Sequence, residues 1–254
     1  MFAVERRSRI ISLLNEKESV SVQEAARMFN VSEETIRRDL DYLEERNMLT
    51  RTHGGAVLPV GSKPEISYEL RSRINITGKD RIGRAAAAFV GEGDTIILDA
   101  STSAFFVAKH IKNKRNVTVI TNAENVITEL CAAEGIELIS TGGVLRRKSM
   151  SYVGSAAETS LAAYHANKLF FSCMGFTFES GLTDSNGQES DMKKIMIERC
   201  QKIFFLCDHT KFGRVGYAAT AKPEDIDTLI TDEEPGPATG EKLRLSGIEV
   251  IVAG

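Results

Sequence analysis

The sequence predicts a two-part molecule: a small helical N-terminal module closed by a β-hairpin, then a larger α/β domain built on a parallel sheet with helices on both faces. Three observations predict it. Apolar residues recur at helical spacing through the first fifty positions, the pattern turns β-prone around a glycine pair at 54–55, and beyond residue 80 short apolar runs alternate with helix-compatible stretches. A length of 254 residues suits one small and one medium domain. The expected boundaries are 1–57 for the first module, 58–79 for a linker and 80–254 for the α/β domain.

In the first module, residues 5–15 carry Ile10, Ile11 and Leu14 on one helical face. Ser21-Val22-Gln23-Glu24 has the pattern of a capping box, in which hydroxyl and carboxylate satisfy the unpaired amides of a helix start. The helix it opens places Val22, Ala25, Ala26 and Phe29 in a buried stripe. Asn30-Val31 makes a tight turn, and Ser32 caps a third helix with Ile36, Leu40 and Leu43 inward and Thr35, Arg37, Arg38 and Asp41 outward. Residues 49–57 suit a hairpin. The stretch 58–79, with Pro59, Gly61, Pro64 and mixed charge, lacks periodicity and reads as linker.

Strand-like runs follow at 95–98, 117–120, 137–139, 169–172, 203–207, 228–230 and 249–252. They are continuous in Val, Ile, Leu and Phe rather than alternating, which indicates strands covered on both faces.

Composition bounds the function. With 42% hydrophobic and 26% charged residues the chain reads as an ordinary soluble protein. No apolar run approaches the roughly 18–20 residues of a membrane span, and the start Met1-Phe2-Ala3-Val4-Glu5-Arg6-Arg7 lacks a signal-peptide core, so cytoplasmic residence is expected. Cys131, Cys173, Cys200 and Cys207 show no metal-ligand spacing and sit among apolar neighbours, which reads as reduced, buried thiols; neither metal nor cofactor is expected. Net charge is −3, and residues 1–57 hold 9 Lys and Arg against 10 Asp and Glu. Any nucleic-acid contact therefore depends on where the arginines stand, not on how many there are.

Two short helices across a tight turn, the second exposing arginines near its start, have the layout of a helix-turn-helix. Thr35, Arg37 and Arg38 are the candidates for base edges in the major groove, where the planar guanidinium fork matches the two acceptors of guanine. Ser32 is placed to reach a phosphate or a base. Arg51 and His53, on the hairpin, are candidates for phosphate or the minor groove. The competing reading is a generic three-helix bundle with solvated arginines. Asp39 reads as structural, orienting an arginine three or four positions away.

In the α/β domain, ligands are expected where loops leave the carboxyl ends of the strands. Those loops hold Asp99, Ser101, Thr102 and Ser103, then Thr121 and Asn122, then Gly142 and Gly143, then Asp208 and Lys211, and Arg146 supplies a further cation. Hydroxyls and free amides at a helix start suit a phosphate. Any one such group is most simply a helix cap; successive loops ending this way point to a site. Glu189 and Lys193, spaced i,i+4, read equally as an exposed helix salt bridge or as ligand-gating groups. His209 reads as a hydrogen-bonding loop residue, with a catalytic base as the alternative.

These motifs carry a resemblance. The run Val31-Ser32-Glu33-Glu34-Thr35-Ile36-Arg37-Arg38-Asp39-Leu40, followed by Leu49, Arg51 and His53-Gly54-Gly55-Ala56, resembles the signature and wing of the DeoR family of bacterial regulators. From about residue 76 to the end the chain resembles the DeoR-type sensor domain, related in fold to ribose-5-phosphate isomerase and glucosamine-6-phosphate deaminase. The matching positions are Asp99 to Ser103, Thr121-Asn122, Gly142-Gly143 with Arg146, Gly181-Leu182-Thr183, Glu189 with Lys193, and Asp208 with Lys211 and Gly213. Ser101 stands where the family often has glycine. The resemblance implies a winged helix-turn-helix on a sugar-phosphate isomerase-like sensor: a repressor of a sugar-metabolism operon, relieved by a phosphorylated sugar. Its expected partners are double-stranded operator DNA, a sugar-phosphate effector and further copies of itself, as homodimer or homotetramer. The rival readings are a sugar-phosphate isomerase or deaminase with an appended helical domain, and a helix-turn-helix used for protein contacts.

Overall fold

The computed structural model describes residues 2–17, 19–45, 49–57 and 65–254, which fall into two compact units meeting at Ile74/Asn75. Each is described by itself.

The N-terminal unit packs α1 (Ala3–Lys17), α2 (Val22–Phe29) and α3 (Glu33–Glu44) around a core that includes Ile10, Leu14, Ala25, Phe29, Ile36, Leu40 and Leu43. Caps define the turn between the last two helices. Ser21 Oγ accepts from the Glu24 amide at 3.1 Å, Asn30 takes the left-handed conformation (φ 52) that closes α2, and Ser32 Oγ accepts from the Thr35 amide at 3.2 Å. The capping box departs from expectation in its second half, because the Glu24 carboxylate accepts from Lys17 Nζ at 3.0 Å. The wing also gains a strand. Besides β2 (Thr50–Thr52) and β3 (Gly55–Val57), β1 (Ser19–Ser21) pairs antiparallel with β3, giving the order β1-β3-β2. Gly55 permits that pairing, since a Cβ there would lie 1.9 Å from the Val20 carbonyl oxygen.

The stretch expected as a linker needs correction. Residues 58–64 lie outside the described residues, but α4 (Tyr68–Arg71) and the start of α5 (Ile76–Ala87) fall inside 58–79, and Leu70 packs on the N-terminal core. Lys79, expected in the linker, is buried in α5.

In the C-terminal unit the chain runs β4 (Thr95–Leu98), α6 (Thr102–Ile111), β5 (Val117–Thr121), α7 (Glu124–Leu130) and β6 (Ile136–Ser140). A hairpin of β7 (Val144–Arg146) and β8 (Ser151–Val153) leads through α8 (Ser155–Ala162) to β9 (Ala166–Phe171). Next come β10 (Gly175–Thr177), β11 (Gly181–Asp184), α9 (Gly187–Glu198), β12 (Cys200–Leu206), β13 (Ala218–Ala221), β14 (Thr228–Thr231), α10 (Pro237–Leu245) and β15 (Glu249–Val252). Seven strands form one sheet in the order β15-β14-β12-β9-β4-β5-β6, every neighbouring pair parallel.

Alternate residues of each strand enter different cores. Ile96, Leu98, Phe170 and Phe204 join Ile82, Val107 and Ile111 on one face, while Ile97, Leu169, Phe171 and Phe205 join Leu161, Met192 and Met196 on the other. Double burial is why the sequence shows unbroken apolar runs. Gly83 allows α5 and α6 to touch: a Cβ there would stand 2.5 Å from Phe106 Cβ. The antiparallel pieces β7–β8 and β10-β11-β13 were not anticipated; they are strands of three or four residues.

From β4 the chain winds outward to β5 and β6, then returns to place β9 on the other flank of β4 and proceeds to β12, β14 and β15. The winding reverses between β4 and β9, and a doubly wound sheet opens a crevice where that happens.

Candidate functional site

The outer face of α3 carries the groups expected to meet nucleic acid. Ser32 caps the helix and its Oγ lies 2.9 Å from Thr35 Oγ1, so both hydroxyls face outward at the helix start. Arg37 and Arg38 follow within a turn, with side chains 50% and 77% exposed, resting on Glu33 Oε2 at 2.9 Å and Glu34 Oε1 at 3.4 Å. A solvated guanidinium on an exposed i,i+4 partner is weakly held and can be redirected. His53 is exposed at the turn between β2 and β3. Arg51 has a role the sequence did not show. It turns back on α3, donating to Asp41 and to the Arg37 carbonyl at 3.2 Å, while its amide donates to Glu44 at 2.8 Å. It thereby ties the wing to the helix.

Asp39 is structural, as expected, but its partners are different. Its carboxylate, 1% exposed, accepts from Arg6 Nε at 2.5 Å and Arg7 Nε at 2.6 Å, so it anchors α3 to α1 instead of orienting an arginine of its own helix. Arg7 also lies over the Tyr42 ring, 3.7 Å from its centroid.

In the C-terminal unit the winding reversal is marked by Asp99 at the end of β4. This fully buried carboxylate accepts from the Ser101 amide at 3.1 Å and, across the switch point, from the Ser172 amide after β9 at 3.3 Å. Burial pushes its pKa up, against the opposing pull of Lys193 and these hydrogen bonds. Lys193 Nζ reaches Asp184 at 2.8 Å and Asp99 at 3.5 Å. Burial alone lowers an ammonium pKa, but the carboxylates of Asp184, Asp99 and Glu189 more than offset it and hold Lys193 above its ordinary value.

Glu189 and Lys193 are therefore not the exposed i,i+4 salt bridge considered from spacing: both are buried and face different partners. Glu189 accepts from Arg146 at 3.1 Å and Ser151 Oγ at 2.8 Å, joining the β7–β8 hairpin to α9. At the end of β12, Asp208 is buried yet held below its usual range. Desolvation raises it, and the charges of Lys211 and Lys79 with the Thr210 hydrogen bonds overcome that. Lys211 Nζ donates to the Cys173 carbonyl at 2.7 Å, which brings the β12 loop to the β9 loop.

The remaining candidates divide. Ser101 Oγ caps α6 through the Ala104 amide at 3.0 Å, and Thr102 and Ser103 form the buried first turn behind it. Ser103 Oγ and Asn122 Oδ1 are buried and make no hydrogen bond among the described residues, whereas Asn122 Nδ2 donates to the Tyr152 carbonyl at 3.0 Å. Thr121 is fully engaged in the scaffold, its hydroxyl donating to the Leu98 carbonyl at 2.7 Å and accepting from the Ala123 amide at 3.0 Å. Gly143 has a packing reason: it has φ 112, and a Cβ would stand 2.8 Å from that of Ala157. Gly142 is left-handed too (φ 60), with open space where a Cβ would stand.

Sequence reasoning missed Asp184, Ser172 and Lys79. Asp184 directly follows the Gly181-Leu182-Thr183 match, so only the last residue of that motif went unread. His209 is a hydrogen-bonding loop residue, its Nδ1 2.9 Å from Asp232 Oδ2. Of the four thiols, Cys173 and Cys207 are buried as expected, with burial pushing Cys173 up to about 12, but Cys131 is exposed.

A helix-turn-helix with exposed arginines, on the same chain as a parallel α/β unit with a buried charged cluster at its switch point, defines a DNA-binding transcription regulator. Residues 6–60 match the DeoR-like helix-turn-helix domain and residues 74–233 the DeoR C terminal sensor domain. The chain is 41% identical over 250 residues to the HTH-type transcriptional regulator YulB of Bacillus subtilis (strain 168), covering 98% of this chain and 96% of that one. It is 35% identical to the HTH-type transcriptional repressor GlcR of the same organism, covering 99% and 97%. Among solved structures, ribose 5-phosphate isomerase A from Methanocaldococcus jannaschii aligns with TM-score 0.41 and 17% identity over 54% of this chain and 55% of that one. The chain belongs to the DeoR family of transcription regulators. No helix among the described residues is long and apolar enough to cross a membrane.

Proposed function

We propose that this chain represses a sugar-metabolism operon, reading operator DNA with α3 and releasing it when a phosphorylated sugar occupies the crevice between β4 and β9. The observation that carries the ligand reading is the convergence of Lys193, Asp99 and Asp184 at the switch point, beside the amino end of α6. Cations with a helix start suit a phosphate, and buried carboxylates suit sugar hydroxyls as hydrogen-bond donors. Arg146, on the β7–β8 hairpin, contacts Glu189, so it is a group a phosphate can compete for. An operator of two half-sites calls for a homodimer or homotetramer, and such work is cytoplasmic.

The isomerase or deaminase reading is disfavoured because the carboxylates that would move protons already have partners: Asp99 is held by Lys193 and two amides, Glu189 by Arg146 and Ser151, Asp208 by Thr210. The proposal is tested by a thermal-shift screen of sugar phosphates against their unphosphorylated parents. A ligand at 100 times its Kd stabilises the native state by about 2.7 kcal/mol, so the midpoint rises with the phosphorylated compound and not with its parent. Stabilisation by unphosphorylated sugars alone contradicts the phosphate site.

A further inference from the structure

Helix α3 is acidic for an element that enters a groove walled by phosphates. It carries Glu33, Glu34, Asp39, Asp41 and Glu44 against Arg37 and Arg38. Asp39 is buried on α1, so the solvent face still presents more carboxylates than guanidiniums. Within α3, Arg37 holds Glu33 at 2.9 Å and Arg38 holds Glu34 at 3.4 Å, and Arg51, reaching over from β2, holds Asp41.

We propose that Glu33 and Glu34 are specificity-determining residues, which hold the reading arginines away from arbitrary phosphates and yield them to base edges. This rests on α3 being the recognition helix. Binding to DNA of arbitrary sequence comes almost entirely from cations displacing counterions at phosphates. An arginine drawn to a phosphate leaves its glutamate one helical turn from that same negative charge, so exchanging carboxylate for phosphate gains little. An arginine on a guanine edge lies at the groove floor, away from the phosphate rims, and makes two in-plane hydrogen bonds that the carboxylate did not match. The paired acids are thus a repulsive element against the wrong partner, which costs the right one less.

The test measures the affinity of full-length protein for two duplexes of equal length, from 50 to 200 mM salt. One is an operator selected by the wild-type protein from a random pool; the other is mixed-sequence DNA. Glu33→Gln with Glu34→Gln is expected to tighten mixed-sequence binding by about fivefold to tenfold and operator binding by less than about twofold, so selectivity falls about fivefold. Glu69→Gln is the control for removing a paired carboxylate elsewhere, since Glu69, on α4, also pairs i,i+4 with an arginine, Arg73 just past that helix, at 3.0 Å. It is expected to leave selectivity unchanged. Unchanged selectivity in the double variant, an equal fall in the control, or a selective loss of operator affinity (a glutamate itself contacting a base) each overturns the proposal. Arg37→Ala separates this failure from failure of the underlying reading: if α3 reads bases but the acids do not gate it, Arg37→Ala alone lowers selectivity; if α3 does not read bases, neither variant does.

Discussion

Replacing Arg37 and Arg38 together by alanine is expected to abolish operator recognition while leaving the fold intact. Each arginine that pairs with a guanine edge contributes about 1–3 kcal/mol, so the double variant loses about 2–6 kcal/mol, roughly thirtyfold to 10⁴-fold in affinity. Stability barely changes, because both side chains are at least half exposed and their pairs with Glu33 and Glu34 are worth a few tenths of a kcal/mol. Fluorescence anisotropy on the operator duplex at fixed salt, with circular dichroism as the check on folding, reads both. Operator affinity within about twofold of wild type, in a folded variant, would mean that another element reads the DNA.

The second large effect is on stability. Asp39→Ala is expected to cost the N-terminal unit about 3 kcal/mol, because removing one side of a buried ion pair leaves the other charge poorly compensated. Here a single carboxylate, 1% exposed, serves the guanidiniums of both Arg6 and Arg7. The loss falls where α1 meets α3, so hydrogen exchange of the α1 and α3 amides is expected to accelerate by roughly a hundredfold, with protection of the C-terminal sheet unchanged. Operator binding weakens in parallel because the helix that presents Arg37 and Arg38 loses its anchor. Unaltered protection of α1 would show that the apolar core alone fixes the helix.

What the sequence disclosed and what it hid divide by distance along the chain. The caps at Ser21 and Ser32, the stripe from Val22 to Phe29 and the outward arginines are local patterns, set by residues within a turn or two of one another. The seven sheet strands were visible because burial on both faces leaves unbroken apolar runs. The missed strands are too short to show a period, and β1 exists only because β3 lies beside it. The electrostatics were hidden for the same reason. Asp39 meets Arg6 across 33 positions, and Glu189 meets Arg146 across 43, so the spacing of Glu189 and Lys193 left open a surface pair where the fold gives each a separate, distant partner. The loop residues Asp99, Ser101, Asp208 and Lys211 could be named because strand ends are where such sheets place ligands. Their mutual contacts became legible only with the strand order.

The most direct measurement of the central claim is operator affinity with and without a sugar phosphate that raises the thermal midpoint. Binding at the switch point is expected to weaken operator affinity by about fivefold to 150-fold, the usual range of coupling between two sites, and Lys193→Met is expected to remove that response. If a compound that stabilises the protein leaves operator affinity untouched, the crevice and the recognition helix are not coupled, and the account of a metabolite-gated repressor is wrong.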